Sequence, residues 1–347
     1  MCWPNGPASL QPTGEAPLQP TIYDVAKAAG VSISTVSLAL NRPERVSRAT
    51  RERVLGAIDA LGFVPRAEAV AKARRGLKRI GVVGPFTRYP SYRRRVAGVV
   101  EAASAAGFEV VIYDSLSATE AEAPLLDSLP LTGRVDALMI VSLPVDDAAL
   151  DRLTDLSIEA VLVDGRRPGL DCVFIDNARG GALAAEHLMA RGCRSFALLG
   201  ERTEDAVLAT HLAERGRGYV AALEARGHRV PEENRITARM DLQDATAAAM
   251  ALLSRPDRPD AVFAASDLLA AGVLSAARAL GLGVPEDVAV VGFDDGTLAE
   301  ALGLTSIRQP FEESGRVGFD LLQRRLGGGT GTREVQLGLE LIERGTS

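Results

Sequence analysis

Two sets of residues could do chemistry at informative positions. The first is a short run, Ile33, Ser34, Thr35, Ser37 and Leu38, that follows a glycine turn and opens a helical pattern. Side chains in the first turns of such a helix can reach base edges in the DNA major groove. The second set ends short apolar runs. Phe86 and Thr87 follow IGVVG, Asp164 ends AVLVDG, and Phe293 and Asp294 end VAVVGFDD. Groups at the carboxyl ends of parallel strands converge where such sheets bind ligands. A carboxylate there can hold hydroxyls through charge-assisted hydrogen bonds. A plainer reading makes Asp294 and its neighbour Asp295 loop or cap residues. Catalysis has little support. There is no G-x-S-x-G elbow, no phosphate loop and no G-x-G-x-x-G after a strand. The adjacent carboxylates are only a weak signal for metal-assisted chemistry. With no Cys/His cluster, neither a metal nor a cofactor is expected.

Three short helical patterns must position the first set. Ile22, Val25, Ala26 and Ala29 lie on one helical face, and Thr21 with Asp24 resembles a capping box. Gly30 supplies a turn. Ser32 can N-cap a second helix that carries Val36 and Leu40 inward. Asn41-Arg42-Pro43 ends it, because a proline disfavours a helical residue before it. Ser47 can cap a third helix with Val54, Ile58 and Leu61 on one face, closed by Gly62. Two helices joined by a Gly-containing turn and braced by a third form a helix-turn-helix unit. A small three-helix bundle without nucleic acid has the same pattern.

Charge favours the nucleic-acid reading. Residues 21–79 carry twelve Lys or Arg against five Asp or Glu. The whole chain is at −6, so the body is strongly acidic. A basic N-terminal module on an acidic body is what a protein meeting DNA with one end requires. Residues 1–20, rich in Pro and Gly, have neither a basic start nor a continuous apolar run, so they are expected to be a disordered tail rather than a secretory signal. Translation could also start later. Cys2, Cys172 and Cys193 form no spaced pairs, which fits a cytoplasmic protein. No apolar run is long enough to span a membrane.

AKAAGVSISTVSLALN followed by SRATRERVLGAIDALGFVP resembles the DNA-binding head of the LacI/GalR family of transcriptional regulators. The resemblance runs from about Thr21 to the C-terminus. It implies a repressor that reads a near-palindromic double-stranded operator as a homodimer, under control of a small-molecule effector such as a sugar or related metabolite. A sugar-binding protein without DNA function is the alternative. Thr21, Ser32 and Asn41 complete the head residues expected to contact DNA. The family usually places Arg after T-V-S, whereas here Leu38 follows Thr35-Val36-Ser37. Leucine can contact a thymine methyl, so the operator should differ at that base.

Residues 64–79 form the expected hinge. Pro65 suits a first helical position, Glu68 and Lys72 are an i,i+4 pair, and Gly76 ends the pattern. In the family this helix enters the minor groove and wedges a leucine between base pairs. Here the aligned position is Lys72 or Ala73, and Arg66 stands where relatives carry Asn. The expectation is a hinge that binds by charge, through Arg66, Lys72, Arg74, Arg75, Lys78 and Arg79, and kinks DNA less. A solvated basic linker is the plainer reading.

From Ile80 on, apolar runs alternate with helical patterns, which implies parallel sheets flanked by helices. There are too many strands for one sheet, so two doubly wound lobes are expected. The resemblance supports this through IDNARGGALAAEHLMARG, AVFAASDLLAAGVLSAARALGLGVPEDVAVVGFDD and LTSIRQPFEESG, and implies a periplasmic-binding-protein-like core at 80–347. The first lobe is placed at about 80–176 and 296–326, the second at about 177–295 and 327–347. The resemblance also adds pocket residues. Tyr92 lies in YPSY where relatives carry N-P-F-F, Arg215 matches the Arg of RGRGY, and Ser266-Asp267 matches an Asn-Asp pair. Arg215 could instead be a surface ion pair and Tyr92 a core residue. Serine for asparagine removes an amide that both donates and accepts, so the effector should depart from the usual sugars. His187 is expected to pack within its helix.

Overall fold

The computed structural model describes residues 20–63, 78–87, 90–115, 124–132, 134–203 and 206–347. The tail, and Arg66, Lys72, Arg74 and Arg75 of the expected hinge, lie outside the described residues. The chain divides into two compact units, Met1–Lys72 and Ala73–Ser347.

The first unit holds α1 (Ile22–Ala29), α2 (Ile33–Asn41) and α3 (Arg48–Leu61). Its punctuation follows the sequence. The Asp24 carboxylate accepts from the Thr21 backbone N–H at 2.8 Å and from its hydroxyl at 2.7 Å. Ser32 caps α2 by accepting from the Thr35 N–H at 3.1 Å. Gly30 and Gly62 adopt left-handed conformations at φ 64° and 59°, which end α1 and α3. Val25, Val36, Ala39, Leu40, Val54 and Ile58 form the buried seam between the three helices. Leu61, expected on that seam, sits at its margin and stays partly exposed.

The second unit contains two six-stranded sheets. The first joins β1 (Arg79–Gly84), β2 (Glu109–Asp114), β3 (Ala137–Val141), β4 (Glu159–Val163), β5 (Asp171–Ile175) and β11 (Glu334–Leu337) in the order 11-5-4-3-1-2. All its pairings are parallel. The second joins β6 (Phe196–Glu201), β7 (Arg235–Ala238), β8 (Ala261–Ala264), β9 (Ala289–Asp294), β10 (Thr305–Arg308) and β12 (Glu340–Ile342) in the order 12-10-9-8-6-7, antiparallel only at β12. Each order reverses once, between β1 and β3 and between β6 and β8. Such a reversal opens a crevice at the carboxyl ends of the strands.

Helices α4 (Pro90–Ala105), α5 (Pro124–Thr132), α6 (Asp147–Asp155) and α12 (Phe311–Leu326) accompany the first sheet. The second is accompanied by α7 (Asn177–Ala190), α8 (Ala206–Glu224), α9 (Leu242–Leu253), α10 (Asp267–Ala279) and α11 (Thr297–Leu302). The chain passes between lobes after β5, after β10 and between β11 and β12.

Two lobe boundaries need correction. Residues 296–308 belong with the second sheet, because β10 pairs in register with β9. Residues 327–337 belong with the first, because β11 pairs with β5. Both strands are weakly patterned. The β10 run buries Thr305 and Ser306, which are tolerated because the Thr305 N–H donates to Thr346 Oγ1 at 2.9 Å and the Ser306 hydroxyl donates to Asp267 at 2.6 Å.

Candidate functional site

The N-terminal half of α2 presents its side chains outward. Ile33, Ser34, Ser37 and Leu38 are exposed, while Val36, Ala39 and Leu40 anchor the opposite face. Two large apolar side chains, Ile33 at 39% and Leu38 at 40% exposure, flank the Ser34 and Ser37 hydroxyls. Tyr23 on α1 is 69% exposed, and sequence reasoning missed it. An aromatic off the apolar face formed by Ile22, Val25, Ala26 and Ala29 was the available signal. Asn41 turns back to donate to the Ser37 carbonyl at 2.8 Å, which closes the end of α2.

The second site is the cleft between the lobes. Backbone conformation marks it. Among the described residues six non-glycines have positive φ, and four of them, Ser142, Asp164, Asp294 and Asp295, lie at the ends of β3, β4 and β9. Left-handed conformations cost about 1–3 kcal/mol for ordinary residues and gather where geometry serves a site.

Side chains of both lobes converge there. Asp164 of the first lobe accepts from Ser142 Oγ at 2.6 Å and pairs with Arg95 Nη2 at 2.9 Å. His211 of α8, in the second lobe, stands 3.9 Å from the same carboxylate. Burial alone would raise Asp164, but the Arg95 charge, helped by His211 and the Ser142 bond, holds it at about 2. Arg215 is buried. Its Nε donates to Asn177 at 2.8 Å, its Nη1 donates to the Ala265 carbonyl at 2.9 Å, and its guanidinium lies 3.8 Å from the Phe293 ring centre. Asp294 stands 3.9 Å from Arg215 and accepts from Gln309 Nε2 at 2.5 Å. Burial raises the Asp294 carboxyl above its ordinary value, although Arg215 and Gln309 oppose the shift.

Asp267 accepts from Ser306 Oγ at 2.6 Å and from the Gly296 N–H at 2.7 Å. Burial and the Asp294 charge push it up to about 7 against those two bonds. Two larger chambers open from the cleft. One of about 390 Å³ touches Asp164, Asn177, Phe174 and His211, and one of about 600 Å³ touches Arg94, Met240, Asp267 and Asp294. Both fall within the usual range for small-molecule sites.

The expected pocket residues therefore divide. Asp164, Arg215, Asp267 and Asp294 come together in the cleft. Ser266 borders the larger chamber but is a buried N-cap of α10, accepting from the Leu269 N–H at 3.3 Å. Phe293 is buried beneath Arg215 and acts as its platform. Tyr92 and Phe86 pack edge-to-face in the first lobe's core, so both are structural supports, and Thr87 is exposed. The correction has a simple cause: β1 ends at Gly84, and the chain turns its next aromatic back under the sheet. Arg95, Asn177, His211 and Gln309 were not singled out. None ends an apolar strand, and their convergence depends on how α4, α7 and α8 pack. His187 is buried and bonded to Ser347 Oγ at 2.9 Å. No group of three metal-ligating side chains occurs among the described residues.

Comparison with known proteins places these features. Residues 21–66 match the model of bacterial regulatory proteins, lacI family, and residues 185–347 match the periplasmic binding protein-like domain. The chain is 33% identical over 310 residues to the HTH-type transcriptional regulator DegA of Bacillus subtilis (strain 168), covering 86% of this chain and 89% of that one. It is 37% identical over 335 residues to the HTH-type transcriptional regulator CelR of Thermobifida fusca, covering 93% and 96%. The solved complex of the regulator CelR with cellobiose has a TM-score of 0.68 at 35% identity, over 94% of this chain and 100% of that one. The lac repressor dimer bound to operator and the anti-inducer ONPF has a TM-score of 0.67 at 26% identity, over 94% and 98%.

Proposed function

This chain belongs to the LacI family of bacterial regulatory proteins, and we propose that it is a cytoplasmic repressor that binds a near-palindromic operator as a homodimer. Residues 21–63 read the operator, residues 64–79 act as hinge, and residues 80–347 bind effector and dimerise. The exposed start of α2 supplies base contacts through Ile33, Ser34, Thr35, Ser37 and Leu38. Thr21, Ser32 and Asn41 flank it, and the basic hinge residues Arg66, Lys72, Arg74 and Arg75 add contacts to the DNA backbone. Two copies would mirror the symmetry of two half-sites.

The effector reading is carried by one observation. Asp164 from one lobe and His211 and Arg215 from the other meet at the strand ends, in a cleft large enough for a metabolite. A ligand that replaces these contacts changes how the lobes approach one another. It can alter DNA affinity only through its different affinity for the two arrangements. Asp164, Arg215, Asp267 and Asp294 are the proposed effector contacts, with Ser266 shaping the chamber wall. The named relatives are regulators, not enzymes.

The division of labour is testable by truncation. A fragment of residues 78–347 should fold and keep any ligand-induced rise in Tm while losing operator affinity. Salt-dependent operator binding by that fragment, measured by fluorescence anisotropy, would contradict the assignment of DNA reading to the head.

A further inference from the structure

Helix α2 carries no charged residue, and its outward face divides sharply between polar and apolar groups. Ile33, Ser34, Ser37 and Leu38 fall at i, i+1, i+4 and i+5, so they form one exposed stripe. The polar groups of this stripe and its borders are spent largely on the helix itself. Ser32 Oγ shares hydrogen bonds with Ser34 Oγ at 2.7 Å and Thr35 Oγ1 at 2.8 Å, and accepts from the Thr35 N–H at 3.1 Å. The Asn41 amide donates to the Ser37 carbonyl at 2.8 Å and to the Ser37 hydroxyl at 3.3 Å, which uses both of its N–H groups. Two branched apolar side chains, Ile33 and Leu38, project from opposite corners of the stripe.

We propose that α2 reads the operator through methyl groups: Ile33 and Leu38 each pack on the C5-methyl of a thymine in the major groove, and these two contacts carry most of the helix's base discrimination. This deepens the DNA reading above and rests on it.

Direct readout of guanine or adenine uses Arg, Lys, Asn or Gln with paired bonds to one base edge. None of these stands in the stripe, and Asn41, which follows it, has turned its amide back. A serine hydroxyl can meet several base edges and so discriminates weakly. The thymine methyl is the apolar mark in the major groove, and it identifies both the base and the strand that carries it. Five residues of helix rise about 7.5 Å, and successive bases lie about 3.4 Å apart. The two side chains therefore address positions about two steps apart. Both are exposed in the free protein and would leave water on binding, which supplies the gain. Ile33 is β-branched and follows the Ser32 cap directly, so it loses little side-chain freedom on docking. Affinity would then come from phosphate contacts made by the basic residues, and sequence choice from the methyls.

Duplexes enriched from a random-sequence pool by the full-length protein supply the probe. The best of them is remade with deoxyuridine, which lacks the methyl, in place of each thymine in turn, and binding is followed by fluorescence anisotropy. Two thymines per half-site should each lose about fourfold in affinity on this change, the weight of one buried methyl. Elsewhere the substitution should change little. Ile33→Ala should abolish one of the two effects and Leu38→Ala the other, and Leu38→Arg should exchange thymine for guanine at its position. Circular dichroism melts of the variants would establish that they fold. An all-deoxyuridine operator bound as tightly as the thymine form, or enriched half-sites without such a thymine pair, would overturn the proposal and leave the DNA reading intact. So would a deoxyuridine effect that persists in both alanine variants, which would mean that DNA shape is read instead. A pool from which the native protein enriches no duplex would overturn the DNA reading itself, and this inference with it.

Discussion

Asp267 and Asp164 sit in one cleft and titrate in opposite directions. Asp267 is raised from 3.8 to about 7 by burial and the nearby Asp294 charge. Its folded form therefore holds a proton that the unfolded chain has already lost. Its contribution to stability is fully present below about pH 4 and is lost as pH rises toward 7. Asp164, held at about 2 by Arg95 despite its burial, contributes stability above about pH 4 that is lost as pH falls toward 2. Asp267→Asn should accordingly flatten the fall in Tm between pH 5 and pH 7.5. An unchanged slope in thermal melts at those two pH values would show that Asp267 does not carry the proton. The individual residues were only partly legible in the sequence. Strand-end position put Asp164 and Asp294 beside the cleft, and both side chains reach it. The same criterion misplaced Phe86, because a residue just past a strand can turn either out to the cleft or back into the core.

Element boundaries in the head were legible, since caps announce themselves through Thr21, Ser32, Ser47, Gly30 and Gly62. In the second unit the fully buried parallel strands β1, β3, β4, β8 and β9 show as continuous apolar runs. Strands β7, β10, β11 and β12 were not readable, because each is short and carries polar residues satisfied only by tertiary partners or solvent. The helix crossing of α7 and α8 explains a glycine pair that sequence alone left without a reason. A Cβ on Gly181 would lie 1.9 Å from the Arg215 carbonyl oxygen, and one on Gly180 would lie 2.6 Å from the Phe293 ring. These glycines let α7 close on the segment that carries Arg215 and on the ring beneath it. Gly181→Ala must push α8 away, and overpacking of this kind costs about 1–3 kcal/mol or more. It should lower the denaturant midpoint and weaken effector binding together. Weakened stability with unchanged effector affinity would mean that Arg215 is positioned independently of this crossing.

At the scale of the molecule, the sequence foretold a basic reading head on an acidic two-lobed body, and the two compact units and two doubly wound sheets agree. The exchange of β10 and β11 between lobes was the part it hid, since pairing partners far apart in the chain decide it. The central claim is that occupancy of the cleft governs DNA affinity. Its most direct test is operator binding by the full-length protein, followed by fluorescence anisotropy while a ligand that raises Tm is titrated, in the native protein and in Asp294→Asn. A ligand at 100 times its Kd stabilises by about 2.7 kcal/mol, which makes such ligands easy to find by thermal shift. The native protein should change its operator affinity at least tenfold, whereas Asp294→Asn should bind the operator as tightly as the native protein and ignore the ligand. An Asp294→Asn protein that responds like the native one, or a native protein whose operator affinity is indifferent to every ligand that stabilises it, would contradict the account.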